Sequence, residues 1–403
     1  MPKQPLKWIA FSLVGILLIL IPNISVFAQE ENSTATEVKA DIVAAANAFL
    51  DTLDETQLET VLFDYEDEEQ RDNWSNLPTG LYTRDGLYYA ELSEESRTAA
   101  LALLEVTLSE QGYEKLMGTM IGDEILQQTS TGLGGAGTVF GFGQYYISIL
   151  GTPSETDPWI LQWGGHHFAL NITFTSVETT LAPSHTGCQP CIYIINEQDV
   201  DVLGDEYSLA LELINSLDAD LQEVAILDYS VTDLVMGPGT EEYVLEAEGL
   251  PASEMTAEQQ TVLLELISEW VNIVHDEAAE VRMAEIEADL DETYFAWSGD
   301  TDEESGSYFR ITGPTILIEF APQGNGGGGG TPPNGGTPPN NGGTPPDDAS
   351  GPNNDTSDSS GSDVVSYTYD LGTYEVDEDS ALYHIHTIYR DPTNPYGTAT
   401  SGE

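Results

Sequence analysis

The sequence predicts an α+β domain: an antiparallel sheet carrying the histidine motifs, with several amphipathic helices packed around it. Three observations lead there. Apolar residues recur at helical spacing in several capped segments, short runs rich in Tyr, Ile and Trp read as strands, and a last strand-like run follows a Gly- and Pro-rich tract near the C-terminus.

In chain order, Val38, Ile42, Ala46, Phe49 and Leu53 recur every three or four residues, the spacing of an amphipathic helix. Residues 74–78 break that pattern and lead to a turn at Arg84-Asp85-Gly86-Leu87. Ser93 is the expected N-cap of a helix running through Arg97, Leu101 and Leu104 to about 108, and residues 113–127 form another. The Gly-rich stretch 132–143 contains G-L-G-G-A-G, yet no strand precedes it and no clear helix follows, so it reads as a loop rather than a dinucleotide fingerprint. Residues 144–150 read as a strand, 151–158 as a turn, and 159–174 as the returning strand. Residues 208–217 and 221–228 look helical. Thr256-Ala257-Glu258-Gln259 is a capping box opening a helix with Leu263, Leu264, Ile267, Val271 and Val274 on one face, beside which His275 is a packing or solvent-edge residue. Residues 282–290 extend the helical region. Strands follow at 308–312 and 315–320 around Gly313-Pro314, and a last one at 382–389.

The chain divides accordingly. Residues 1–28 carry Lys3 and Lys7, an apolar run and Val26-Phe27-Ala28, the pattern of a secretory signal peptide, with an uncleaved anchor as the alternative. No later segment is apolar enough to span a bilayer, so a secreted or extracytoplasmic protein is expected. Residues 29–320 form the main domain, 321–363 a disordered Gly/Pro/Asp-rich linker repeating G-G-T-P-P, and 364–403 a strand segment completing the same domain. Lengthening an already long loop costs little further closure entropy, so the tail can return to the sheet.

With 70 Asp and Glu against 10 Lys and Arg, the net charge is −60, which argues against nucleic acid and anionic membrane as partners and leaves a small molecule or a surface polymer. Scarce cations are informative: Arg84, Arg97, Arg282, Arg310 and Arg390 are each expected to hold a carboxylate or a ligand. Cys188 and Cys191 are spaced C-x-x-C, and in an exported chain without a second Cys pair a disulfide is the first expectation.

Two stretches hold four of the six histidines, Gly164-Gly165-His166-His167 and His384-Ile385-His386. On a strand His384 and His386 face one way, a spacing suited to one metal ion. If 163–174 stays extended, His166 shares a face with Phe168, Leu170, Ile172 and Phe174, which favours it as third ligand; the Gly pair, able to twist the chain, keeps His167 in the set. Glu319 is a further candidate ligand, and Arg310, Arg390, Trp163 and Asn171 are candidates for supporting or substrate contacts. An imidazole-rich donor set suits a transition metal ion, Zn, Cu or Fe, and an open position would serve hydrolysis or redox chemistry. The alternative is an exported, non-catalytic binding or cell-surface protein whose histidines pack structurally. No G-x-S-x-G elbow or P-loop is present, and the calcium-like Asp199-Val200-Asp201 start lacks the later ligands.

The order of motifs resembles a family of exported bacterial and fungal proteins, domain-of-unknown-function family 3500. The resemblance runs from Trp74, Asn76 and Pro78 through Arg84, Gly86, Arg97, Gly112-Tyr113 and Trp159 to Gly165-His166-His167 and Leu170-Asn171. It continues through Thr256, Gln259, Ala296-Trp297, Arg310, Gly313-Pro314 and Glu319-Phe320 to His384-Ile385-His386, Arg390-Asp391-Pro392 and Tyr396-Gly397. It implies that G-H-H and H-I-H belong to one domain and that the linker is an insertion. Residues 184–188 depart from the family's usual sequence, which sets His185 and the Cys pair apart from a shared active site.

Overall fold

A computed structural model describes residues 35–129, 139–240, 245–303, 305–323, 367 and 369–397. The expected signal peptide, most of the Gly-rich loop and nearly all of the linker lie outside these residues.

The strands are β1 (Leu62–Phe63), β2 (Leu87–Tyr88), β3 (Tyr146–Leu150), β4 (Trp159–Gly164), β5 (Phe168–Phe174), β6 (Thr179–Cys188) and β7 (Ile192–Ile195). They continue as β8 (Gln198–Asp201), β9 (Leu250–Pro251), β10 (Tyr294–Ser298), β11 (Tyr308–Thr312), β12 (Leu317–Pro322), β13 (Tyr374–Val376) and β14 (Ile385–Arg390). The helices are α1 (Ala35–Leu50), α2 (Glu55–Val61), α3 (Glu68–Arg71), α4 (Glu94–Thr107) and α5 (Glu110–Thr129). After the histidine hairpin come α6 (Gly204–Ser216), α7 (Ala219–Ala225), α8 (Ala257–Val271) and α9 (Asp276–Ala288). Capping follows the sequence: Ser93 accepts from Ser96 N at the start of α4, and Thr256 and Gln259 close a capping box on α8.

One 11-stranded sheet runs β1-β3-β4-β5-β6-β14-β12-β11-β10-β9, with β2 also on β3, and a small sheet runs β13-β7-β8. The α+β class holds, but the main sheet is mixed rather than antiparallel, because β1 lies parallel to β3. The reason is connectivity: three helices, α3 to α5, separate β1 from β3, so no hairpin forces the two to run opposite ways. A second correction concerns 159–174. This is not one strand but a tight hairpin, β4 and β5, turning at residues 165–167.

The C-terminal strand does not add to an edge. β14 inserts between β6 and β12, pairing His386 with Gly187 on one side and Ala321 on the other. Both ends of the described chain therefore contribute to one core. The large apolar cluster joins the helices to strand residues such as Trp159, Phe168, Ile318 and Phe320. A smaller cluster contains Trp74, Ala169, Tyr308, Ala321, Ile388 and Tyr396. By strand alternation His386 lies on the face of Ile388 and Ala321.

α5 is buried on nearly every side, including Leu116, Met120, Ile121, Asp123, Ile125 and Leu126, as expected of a helix with no clean polar face. Gly122 permits this, since a Cβ there would come within 2.9 Å of Pro190 O. The close approach carries Asp123 under the histidine hairpin. Next to it, Cys188 and Cys191 form a disulfide, S–S 2.07 Å, at the end of β6. Among the described residues no helix is long and apolar enough to cross a membrane.

Candidate metal centre

His166 and His167 occupy the centre of the β4–β5 turn, closed by Gly165 N–H donating to Phe168 O at 2.8 Å. Strand alternation does not govern a turn, so both rings swing to the same side, their centroids 3.7 Å apart. Gly165 is needed for tight packing here: a Cβ would stand 2.5 Å from the Tyr145 ring. The turn is held from behind by Arg84, whose buried guanidinium donates to Gly165 O at 2.9 Å and also to Ser75 O and Leu77 O. Burial pushes the Arg84 pKa down to about 10.

His384 just precedes β14, and Gln323 N–H donates to its carbonyl at 2.7 Å, tying it to the end of β12. His384 and His386 then face the hairpin turn. The His384 ring centroid lies 5.3 Å from that of His167 and 6.5 Å from that of His166. For His386 the distances are 5.5 Å and 6.1 Å. The two stretches 217 residues apart in sequence thus meet, as expected.

One ring is oriented by a buried relay. Asp123, 1% exposed, accepts from Tyr145 OH at 2.6 Å through one oxygen, and its other oxygen lies 2.5 Å from His167 Nδ1. A carboxylate at Nδ1 fixes the proton there and leaves the Nε2 lone pair free to bind. That Nε2 lies 3.3 Å from His384 Nε2, which in turn lies 3.0 Å from His386 Nε2.

Neutral imidazoles cannot satisfy both contacts. His384 Nε2 carries either one proton or one lone pair, and His167 Nε2 is a lone pair. If His384 donates, its single proton serves one neighbour; if it accepts from His386, it opposes the lone pair of His167. A cation facing all three nitrogens would resolve the conflict. The 3.3 and 3.0 Å separations suit such an ion: Zn–N bonds of about 2.0–2.1 Å in a tetrahedron place neighbouring nitrogens about 3.3 Å apart. Ligand atoms of His166, His167 and His386 also lie within 4.8 Å of one another. His386 Nδ1 is 3.4 Å from the Asn76 side-chain nitrogen, and a flip of that amide would present its oxygen instead.

The electrostatics agree with neutral rings. Burial first, and then the neighbouring imidazoles, hold His166, His384 and His386 well below the ordinary imidazole range. His185, set aside on sequence grounds, belongs to this cluster: its ring lies 5.2 Å from that of His386. The register explains it, since β6 pairs His185 with Ile388 and Ala169 between the two histidine stretches. Its Nδ1 lies 2.7 Å from Thr387 O, and burial pushes its pKa down to about 3. His166 Nδ1 is buried without a hydrogen-bond partner.

The other sequence candidates have partners of their own. Glu319 is fully buried on β12 and accepts from Val235 N, Met236 N and Tyr308 OH, pinning the 230s loop to the sheet. Arg310 pairs with Glu248. Arg390 donates to Met236 O and Gly237 O and lies over the Trp74 ring. Arg97 likewise donates to Leu92 O, whereas Arg282 pairs with Glu285 and Asp391. Trp163 stacks on Tyr145 with ring centroids 5.4 Å apart, and so supports the relay indirectly. Asn171 accepts from Gln162 and donates to Pro183 O.

Sequence reasoning missed Asp123, Tyr145, Asn76 and His185. For Asp123 the signal was available: an acid among Met120, Ile121, Ile125 and Leu126, in a helix with apolar residues all round, has no route to water. His185 and Tyr145 required the strand register.

Residues 35–398 match a family model described as "Protein of unknown function (DUF3500)". No curated protein and no solved structure matches the chain.

Proposed function

The chain belongs to the DUF3500 family, and on the geometry of its histidine cluster we propose that it is a transition-metal protein. His167, His384 and His386 would hold the ion, with the His166 ring beside that of His167. The observation that carries this reading is the pair of Nε2···Nε2 contacts at 3.3 and 3.0 Å, which hydrogen bonding between neutral rings cannot both satisfy. Asp123, held by Tyr145 OH, orients His167 through its Nδ1. Imidazole donors suit Zn, Cu or Fe. Bound there, such an ion would supply Lewis-acid or redox chemistry at its remaining position, so the reaction class proposed is metal-dependent hydrolysis or oxidation of a small molecule or surface polymer. A site outside the cytoplasm accords with the Cys188–Cys191 disulfide and with the N-terminal pattern.

The test is metal analysis of protein purified without a histidine tag, beside the His384→Ala/His386→Ala double variant. Near-stoichiometric metal in the parent and none in the variant is expected. No metal in either, even after reconstitution, would leave an exported binding protein with structural histidines.

A further inference from the structure

Lys115 on α5 is buried where α5, α6 and α8 meet, and two carboxylates converge on it. Its Nζ lies 2.8 Å from Glu206 Oε1 on α6, 2.7 Å from Glu269 Oε2 on α8 and 3.1 Å from the Glu269 carbonyl oxygen. An ammonium has three protons to donate, and these three acceptors take them all. The Glu269 side chain is 14% exposed and also accepts from the Gln111 side-chain amide. Glu206 has no such support: it is 1% exposed, and its Oε2 is buried with no hydrogen-bond partner.

Two carboxylates share one ammonium, so with every group ionised the buried cluster keeps a net negative charge. An uncompensated buried charge costs more than a neutral acid in the same place, and Glu206 is the member that lacks both water and a donor for its second oxygen. The first turn of α6 favours an anion, yet that gain is small beside the cost of burying an unmet charge. Burial, opposed by Lys115 and reinforced by the like charge of Glu269, raises the Glu206 carboxyl to about 7. From the elements packed around it, Lys115 and Glu269 are the charged groups that act on it, whereas Glu110 and Glu114 on α5, Asp205 on α6, Asp218 and Glu223 on α7 and Glu265 on α8 are exposed.

We propose that Glu206 is a proton-binding site of the fold: it carries a proton in mildly acidic medium and gives it up as the medium turns alkaline, so that acidification tightens the junction of α5, α6 and α8. The site stands apart from the histidine cluster and does not rest on a bound metal. Its sign is opposite to that of the histidines. The folded value lies above the ordinary 4.5, so the stability it contributes is complete below 4.5 and is lost as pH rises through about 7.

Urea melts of the full chain and of Glu206→Gln at about pH 5 and about pH 8 test this. Glutamine mimics the neutral acid, so the parent's folding constant relative to the variant's should fall by about 10–100-fold from the lower pH to the higher. The infrared difference between parent and variant at about pH 6 should show one carboxylic-acid carbonyl band that the variant lacks. Asp201, Asp233 and Glu319 are raised too, and they cancel in that difference. Glu269→Gln removes the like charge and should move the same band to lower pH, a check that stands even if Glu206→Gln fails to fold. Metal content should stay at the parent's level in both variants. A folding-constant ratio that does not change with pH, or the absence of a carboxylic-acid band separating parent from Glu206→Gln, would overturn the proposal.

Discussion

Replacing Asp123 by Asn tests the oriented-ligand argument without removing a ligand. The carboxylate is 1% exposed and engages two groups, Tyr145 OH at 2.6 Å and His167 Nδ1 at 2.5 Å. Asn conserves volume but offers a single acceptor oxygen, so one contact must face the amide nitrogen. If that contact is His167, its proton is driven to Nε2 and the lone pair facing His384 is lost. If it is Tyr145, the hydroxyl turns to accept and His167 keeps a weaker, neutral partner. Either outcome lowers ligand strength, and losing such an outer partner costs about 10–100-fold in metal affinity, or about 1.4–2.7 kcal/mol. Solvent does not screen the effect at this depth. The assay is competition with a chelator of known affinity, run on the parent, Asp123→Asn, His167→Ala and the double variant. Because Asp123 is argued to act through His167, its effect should vanish once His167 is gone. Unchanged affinity in Asp123→Asn, or losses that simply add in the double variant, would refute the reasoning.

Three further outcomes are expected. Gly165→Ala, which touches no ligand, puts a Cβ 2.5 Å from the Tyr145 ring; it should destabilise the fold by about 1–3 kcal/mol in urea melts and lower metal affinity through the displaced relay. Glu319→Gln should cost about 1.5–3 kcal/mol of stability, because one of three donors loses its charged acceptor, while metal content stays at the parent's level. In the metal-free protein, His166, His185, His384 and His386 all have folded pKa values below the ordinary 6.5. Unfolding therefore takes up protons, and the stability present above pH 6.5 is lost as pH falls from there toward the folded values, about 3 for His185. Each such group contributes a slope of about 1.4 kcal/mol per pH unit. Denaturation measured against pH should show proton uptake, reduced by one in His185→Gln.

Much of the architecture was legible because local chemistry specified it. Ser93 and Thr256 announced helix starts that α4 and α8 confirm, and the short runs around Gly313-Pro314 became β11 and β12. The meeting of G-H-H with H-I-H was also legible, since four histidines in two short apolar stretches needed a common environment. What failed was the assumption of one extended strand over 159–174. The Gly164-Gly165 pair turns the chain, so alternation could not choose between His166 and His167. Sheet order was beyond reach for a related reason: β14 inserts between β6 and β12 by long-range pairing, and nothing local to 385–390 names its neighbours. His185 entered the cluster through that same pairing. Glu319 was offered as a ligand as an acid on an apolar strand, but Tyr308 OH and the backbone of the 230s loop, with no recognisable motif, supply its partners.

The central claim is that three imidazole nitrogens converge on one transition metal ion. Its most direct test is a crystal structure of the reconstituted protein with anomalous data collected on both sides of the metal's absorption edge. The account predicts one strong anomalous peak bonded to Nε2 of His167, His384 and His386, with the Asp123–His167 contact retained. A peak held by other residues, or none beside histidines packed as they are here, would contradict it.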